Sequence, residues 1–317
     1  MNIKIDQYIN NHIRPYIMNY SLFKYLLFLI IPIICSSKTL PNTIPISINN
    51  QLAKLETSAN GKIGVFAINT GNNEQIQHRS NERFPMGCTS KVMGVAAILK
   101  QSMTNESLMQ QKVMYSKADI LSWAPITKNH INNGMTVKEL CAATIIYSDN
   151  TAMNLIVKQL GGLKTINDFA HSIGNQSFRQ DHGWPDEANA TPYTPYDTST
   201  PKDMALSLEK LTLGDALGTK EREQLQNWLK SSVTGYSRIR SGVPKNWVVG
   251  DKTGTGYYYG VDNDIAIIWP PKRAPIILAI YYAGNTKDAK KRDDIIVKTT
   301  RIILNEFADT DKNLKLN

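Results

Sequence analysis

Apolar runs with the character of strands stand at both ends of this 317-residue chain, and helical periodicity fills the space between them. Residues 61–68, GKIGVFAI, lead into Thr70-Gly71-Asn72-Asn73, a strand followed by a hairpin turn. Residues 247–250, 264–269 and 276–282 are apolar and separated by Gly, Pro and Asp turns, the pattern of an antiparallel meander. Two ends that share a sheet and a middle that cannot join it define an α+β fold. The expectation is an antiparallel sheet flanked by terminal helices and interrupted by an all-helical insertion. A cleft is left between the two parts, the usual place for a site.

Residues 92–100 and 136–157 are apolar at helical spacing, and residues 201–211 and 221–230 are amphipathic. Thr200 precedes Pro201 as an N-cap with proline at the first helical position. A last helix is expected over residues 288–307, with Ile295, Ile296, Ile302, Ile303 and Phe307 on its apolar face. Hydrophobic residues at 42% supply a core, and 20% charged residues exclude a disordered chain. The net charge of +9 is spread thinly: the longest basic run is Lys290-Lys291-Arg292, and no nucleic-acid motif occurs. The charge therefore reads as a solvated basic surface and excludes a nucleic-acid partner.

The N-terminus departs from globular composition. Lys24 precedes YLLFLIIPIIC at residues 25–35, and Ser36-Ser37-Lys38 follow. A basic flank, a short apolar run and small residues describe an export signal. The run is shorter than the roughly 20 residues a membrane-spanning helix needs. Residues 1–37 are thus read as the signal, with a possible extension before Met18, and residues 38–50 as a linker. Residues 51–310 form the catalytic unit and 311–317 a tail. A periplasmic or secreted protein is expected, monomeric and free of the membrane once the signal is removed.

Of the three cysteines, Cys35, Cys88 and Cys141, only the last two lie beyond the signal, too few for a disulfide framework. Cys141 falls on the apolar face of its helix and belongs to the core. Cys88 lies in Phe84-Pro85-Met86-Gly87-Cys88-Thr89-Ser90-Lys91 at the start of a helix. There Cys88 and Lys91, three residues apart, share a face, and a helix N-terminus favours an anionic nucleophile. Ser148-Asp149-Asn150 interrupts the apolar run that begins at Cys141. Asp251-Lys252-Thr253-Gly254-Thr255-Gly256 leaves a strand, its glycines permitting close approach by a ligand. Each element alone is commonplace; their order on one chain is not.

Together they resemble the S-x-x-K, S-D-N and K-T-G signature of class A β-lactamases and penicillin-binding proteins. The resemblance covers most of residues 61–307. Trp123 in SWAP, residues 134–140 (GMTVKEL) and residues 234–240 (TGYSRIR) look most like the carbapenem-hydrolysing branch. It implies a hydrolase that opens the strained amide of a small-molecule β-lactam, with antibiotic resistance as the outcome and no cofactor. Cys88 would be the nucleophile, and its N–H and that of Thr255 the oxyanion hole. Lys91 would hold or accept the proton, and Ser148 would relay it to the leaving nitrogen. Asn150 would bind the side-chain amide of the substrate. Lys252, Thr253, Thr255 and Arg238 would hold the substrate carboxylate, Gly254 would be a further substrate-binding residue, and Trp123 would line the cleft mouth.

The chain departs from the family twice. The nucleophile position carries Cys88 in place of serine; a free thiol titrates at about 8.5, lower beside a lysine and a helix N-terminus. The loop that carries the deacylating glutamate as Trp-Glu-Pro-x-x-Asn reads DHGWPDEAN over residues 181–189. Aligned without gaps from Phe178, Trp184 takes the glutamate's place; with one residue inserted, Pro185 does. Asp186 and Glu187 stand close enough to substitute if the loop refolds, against the alternative that both are surface acids. Five histidines show no metal-ligand spacing. The rival readings are a penicillin-binding or sensing protein that acylates and stalls, and a non-catalytic binding module. A base near the thioester separates the first from a hydrolase, and retention of Lys91, Ser148 and Lys252 argues against the second.

Overall fold

In the computed structural model, which describes residues 46–316, the two ends of the chain share one sheet. Strands β1 (Gly61–Asn69), β2 (Glu74–His78), β3 (Val248–Thr255), β4 (Asp262–Trp269) and β5 (Ile276–Gly284) pair antiparallel in the order β2-β1-β5-β4-β3. The last strand therefore sits at the centre, and every residue of β5 is buried. Its side chains alternate between faces. Ile276, Leu278, Ile280 and Tyr282 join one core, while Ile277, Ala279, Tyr281 and Ala283 join the other.

The first core is closed by two helices from the chain ends, α1 (Ile46–Ala59) and α9 (Asp293–Thr310). Ile48 and Leu52 of α1 and Ile295, Ile296, Ile303 and Phe307 of α9 are fully buried there. The second core belongs to the inserted helices α2 (Lys91–Ser102), α3 (Val137–Ile146), α4 (Asn150–Gln159), α5 (Leu163–Ser172), α6 (Pro201–Thr212) and α7 (Thr219–Lys230). Helix α2 is buried from Lys91 to Leu99 and runs through the middle of this part, as expected of a helix apolar all round. Helix α6 lies under the sheet and joins the two parts, and a short turn α8 (Ile239–Gly242) precedes β3.

Thr200 caps α6 as the sequence requires, its hydroxyl accepting from Asp203 N, with Pro201 in the first turn. Other expectations need correction. The apolar run 25–35 lies outside the described residues, but the linker assigned to 38–50 ends in helix, since α1 starts at Ile46. Within the residues assigned to the tail, Leu314 is buried in the α1/α9 core. Helix α9 begins at Asp293, five residues later than expected, with Asp293 and Asp294 in its first turn. The run 136–157 is two helices, because Ser148 adopts φ 56° and Asp149 caps a new helix. Strand β3 stops at Thr255, and residues 257–260 form a bend and turn. No helix among the described residues is long and apolar enough to cross a membrane.

Candidate active site

Cys88 sits half-buried on the single 3-10 turn Gly87–Ser90 that opens into α2. Two glycines press this turn against the end of β3. A Cβ at Gly87, whose φ is +52°, would lie 2.8 Å from Thr255 N, and one at Gly254 would lie 2.5 Å from Met86 O. Only a backbone without side chains permits that approach. It sets Cys88 and Thr255, the two expected oxyanion donors, on segments in direct contact. Asn263 fastens the turn from below, donating to Pro85 O at 2.8 Å and Met86 O at 2.9 Å.

Lys91 and Lys252 are both fully buried, and both point at Ser148. Lys91 Nζ donates to Ser148 O at 2.7 Å, Ser148 Oγ at 3.3 Å and Asn150 Oδ1 at 2.6 Å. Lys252 Nζ donates to Ser148 Oγ at 2.9 Å and to Thr253 O at 3.0 Å. The Ser148 hydroxyl thus accepts from both ammonium groups. Its segment is held by Asp149, which caps α4 through Ala152 N at 2.9 Å and takes Ile126 N and Thr127 N, each at 3.0 Å. Trp123 belongs to the same neighbourhood: its carbonyl accepts from Asn150 N, its indole donates to Tyr147 O at 3.1 Å, and its ring is 55% exposed.

Burial alone would push the Cys88 thiol up. The charges of Lys91 and Lys252, with hydrogen bonds from Ser148 and Lys91, outweigh it and bring the thiol down to about 7. Burial brings Lys252 down to about 8, with the Cys88 charge holding it up and Lys91 pressing it down. Burial, unopposed, pushes the Cys141 thiol far up. Of the two cysteines beyond residue 46, only Cys88 has cations beside it.

Arg238 lies 6% exposed behind the clamp and does not fit the direct role expected of it. A guanidinium has five N–H donors. Here Nε goes to Asp293 Oδ1 at 2.8 Å, Nη1 to Gly254 O and Asn263 O at 2.7 Å each, and Nη2 to Thr255 Oγ1 at 2.8 Å and Asp262 Oδ1 at 2.7 Å. None is left for a ligand carboxylate. The Thr255 hydroxyl accepts from Arg238 Nη2 and keeps its own proton to donate. Thr253 Oγ1, the other hydroxyl of the expected clamp, lies 2.7 Å from Thr234 Oγ1.

The loop 179–197 settles which residue faces Lys91. Asn154 grips Trp184 at both backbone groups, with Nδ2 donating to Trp184 O at 2.7 Å and Oδ1 accepting from Trp184 N at 3.1 Å. The Trp184 ring lies over Lys91 Nζ, 4.8 Å from the ring centre, and the Trp184–Pro185 bond is cis. The gap-free register therefore describes the space. The two acids part company here: Asp186 is exposed, whereas Glu187 is fully buried, on a turn packed against Gly87–Ser90. Neither Glu187 carboxylate oxygen has a protein hydrogen-bond partner. Burial drives this carboxyl well above its ordinary range; the charges of Cys88 and Asp197 push the same way, and Lys91 and Lys252 pull it back. The loop is closed at its neck by Asp197, which takes Asp181 N at 2.8 Å, His182 N at 2.9 Å and His182 Nδ1 at 2.6 Å.

Sequence reasoning missed Asn154 and the His182–Asp197 pair, and gave Thr234 no role beyond its place in the 234–240 stretch. Asn154 left a trace, four residues after Asn150 on the same helix face. Among the described residues, no group of three or more His, Cys, Asp or Glu side chains is placed to hold a metal.

The model of the β-lactamase enzyme family matches residues 47–307. A β-lactamase of Proteus vulgaris is 48% identical over 264 residues, 83% of this chain and 97% of its own. β-Lactamase OXY-2 of Klebsiella oxytoca is 49% identical over 257 residues, 81% of this chain and 88% of its own. The solved β-lactamase of Desulfarculus baarsii superposes with a TM-score of 0.81 at 45% identity, covering 82% of this chain and 97% of that one. The chain belongs to the β-lactamase enzyme family. Class A is the branch that its three motifs and these relatives fit, and hydrolysis of a cyclic amide is the chemistry of that class.

Proposed function

We propose that this chain hydrolyses β-lactams through a thioester on Cys88, outside the cytoplasm, as a route to antibiotic resistance. One observation carries the reading: a thiol brought down to about 7 lies beside Lys91, Lys252 and Ser148, on a turn held against Thr255. The thiolate attacks the β-lactam carbonyl, and the N–H groups of Cys88 and Thr255 receive the oxyanion. As the C–N bond breaks, Ser148 gives its proton to the leaving nitrogen and regains one from Lys252 or Lys91. The Thr253 and Thr255 hydroxyls and the Lys252 charge hold the substrate carboxylate, Asn150 its side-chain amide, and Trp123 the rim.

Glu187 completes the cycle. While Cys88 is a thiolate, its charge helps keep Glu187 protonated. Acylation turns that charge into a neutral thioester, which removes one of the two charges that raise the Glu187 carboxyl and favours its ionised form. Glu187 then takes a proton from water as the hydroxide attacks the thioester and the thiolate departs. Intact mass spectrometry within seconds of mixing with a penicillin or a carbapenem should show an adduct of the whole β-lactam, absent in Cys88→Ala. A folded protein that neither forms an adduct nor turns over any β-lactam rejects the reading. An adduct that never clears, in wild type as in Glu187→Gln, establishes instead a sensor that acylates and stalls.

A further inference from the structure

The lysine of the C-x-x-K turn meets the loop at an aromatic face. Lys91 Nζ lies 4.8 Å from the centre of the Trp184 ring, within the range of a cation–π contact. The contact is built, not incidental. Trp184 is 4% exposed and gripped by Asn154 through both backbone groups, while Lys91 is fully buried in the first turn of α2. Three oxygens accept from the ammonium, Ser148 O, Ser148 Oγ and Asn150 Oδ1, and Cys88 is close enough to share it. The ring covers another side of the cation. The charged neighbours are Cys88 on the preceding turn, Lys252 across Ser148 and Glu187 on the loop.

Resting on the reading of Cys88 as nucleophile, we propose that Trp184 is a positioning residue for acylation, whose ring face holds Lys91 as the cation that keeps Cys88 a thiolate. Lys91 needs such support because Lys252, a second buried ammonium, repels it from the far side of Ser148. A carboxylate in the ring's place would also steady the ammonium, but it would carry a full negative charge and compete with the sulfur for it. An aromatic face attracts the cation through its quadrupole and brings no net charge. The field of Lys91 remains available to the thiolate. A serine nucleophile, which does not ionise before attack, has no use for that arrangement; a cysteine does.

The test is the pH dependence of Cys88 alkylation by iodoacetamide in the folded chain, read by peptide mapping with buried Cys141 as internal control. Wild type should give a midpoint near 7. Trp184→Leu should move it up by about half to one and a half units, the equivalent of a desolvated cation–π contact. Trp184→Phe keeps a ring and loses the indole N–H, so it should retain most of the wild-type position. In a Lys91→Gln background, Trp184→Leu should produce no further shift. If Trp184→Leu lacks the wild-type circular dichroism, Trp184→Met serves as the ringless variant. The proposal is overturned if the ringless variant leaves the midpoint in place, if Phe shifts it as far as Leu, or if the shift persists without Lys91. Alkylation needs no β-lactam, so failure of the thioester reading would show separately, as a missing β-lactam adduct.

Discussion

Replacing Glu187 by leucine should make the protein more stable and much slower, because the same buried carboxyl is a structural burden and the proposed base. Its side chain is fully buried and both oxygens lack a protein partner. A buried polar group left unpaired costs about 1–3 kcal/mol. Leucine is of similar length and can occupy the space without that penalty. At roughly 2–4 °C per kcal/mol for a domain of this general size, the melting temperature should rise by several degrees. The gain should depend on pH. Because the folded carboxyl titrates above its ordinary 4.5, the unfolded chain releases the Glu187 proton first as pH rises, and wild-type stability falls from there until the folded group also ionises. The difference between Leu and wild type should therefore be small in acid and widen above about pH 4.5. In the same variant the thioester should persist ~10²–10⁴-fold longer, the usual contribution of a positioned base. Calorimetry across pH and time-resolved intact mass measure both. A lower melting temperature with undiminished turnover would refute both the burden and the base.

Three further expectations follow from named contacts. Arg238→Gln should cost about 3–5 kcal/mol by stranding buried Asp262, and should raise KM for anionic β-lactams through the loosened Thr255; an unchanged KM would restore Arg238 as a bystander. His182 is raised above its ordinary 6.5 chiefly by its hydrogen bond to Asp197, so its hold on the loop neck is complete below that pH and lost as pH rises through the folded value. Hydrogen exchange at the Asp181 and His182 amides should accelerate accordingly in wild type and be fast throughout in His182→Gln, whereas flat protection in both would dismiss the pair. Asn154→Leu should free Trp184, leave its backbone groups unpaired at a cost of about 1–3 kcal/mol, and slow acylation; wild-type melting and rate would show that the grip is idle.

The parts of the site that are local in sequence were legible there. Cys88 and Lys91 share a helical turn, Ser148 breaks an apolar run, and Lys252 to Gly256 leaves a strand; periodicity and turn chemistry are enough to see each. What depends on burial was not. Asp186 and Glu187 are neighbours with the same charge, and only the packing of their turn decides which faces Cys88. Arg238 reads as a clamp residue until its five donors are followed to five acceptors within the protein. The fold shows the same division. Alternating runs announced the sheet, but the first residues of α1, up to Asn50, were taken for linker because polar Asn49 and Asn50 follow Ile48 and conceal the stripe it makes with Leu52, which only a partner helix makes sense of.

With Arg238 fully engaged, the proposed carboxylate site consists of two neutral hydroxyls, Thr253 and Thr255, and one cation, Lys252. That ammonium titrates at about 8 and the nucleophile at about 7. Capture of an anionic drug weakens above the first value and attack weakens below the second, so the working interval is narrow and its two edges belong to one coupled set of charges. On the proposed export, the enzyme has no cytoplasm to buffer that interval. The acidity of the surrounding fluid then acts as its throttle, and resistance conferred by this chain should rise and fall with the pH of the place where the cell is growing.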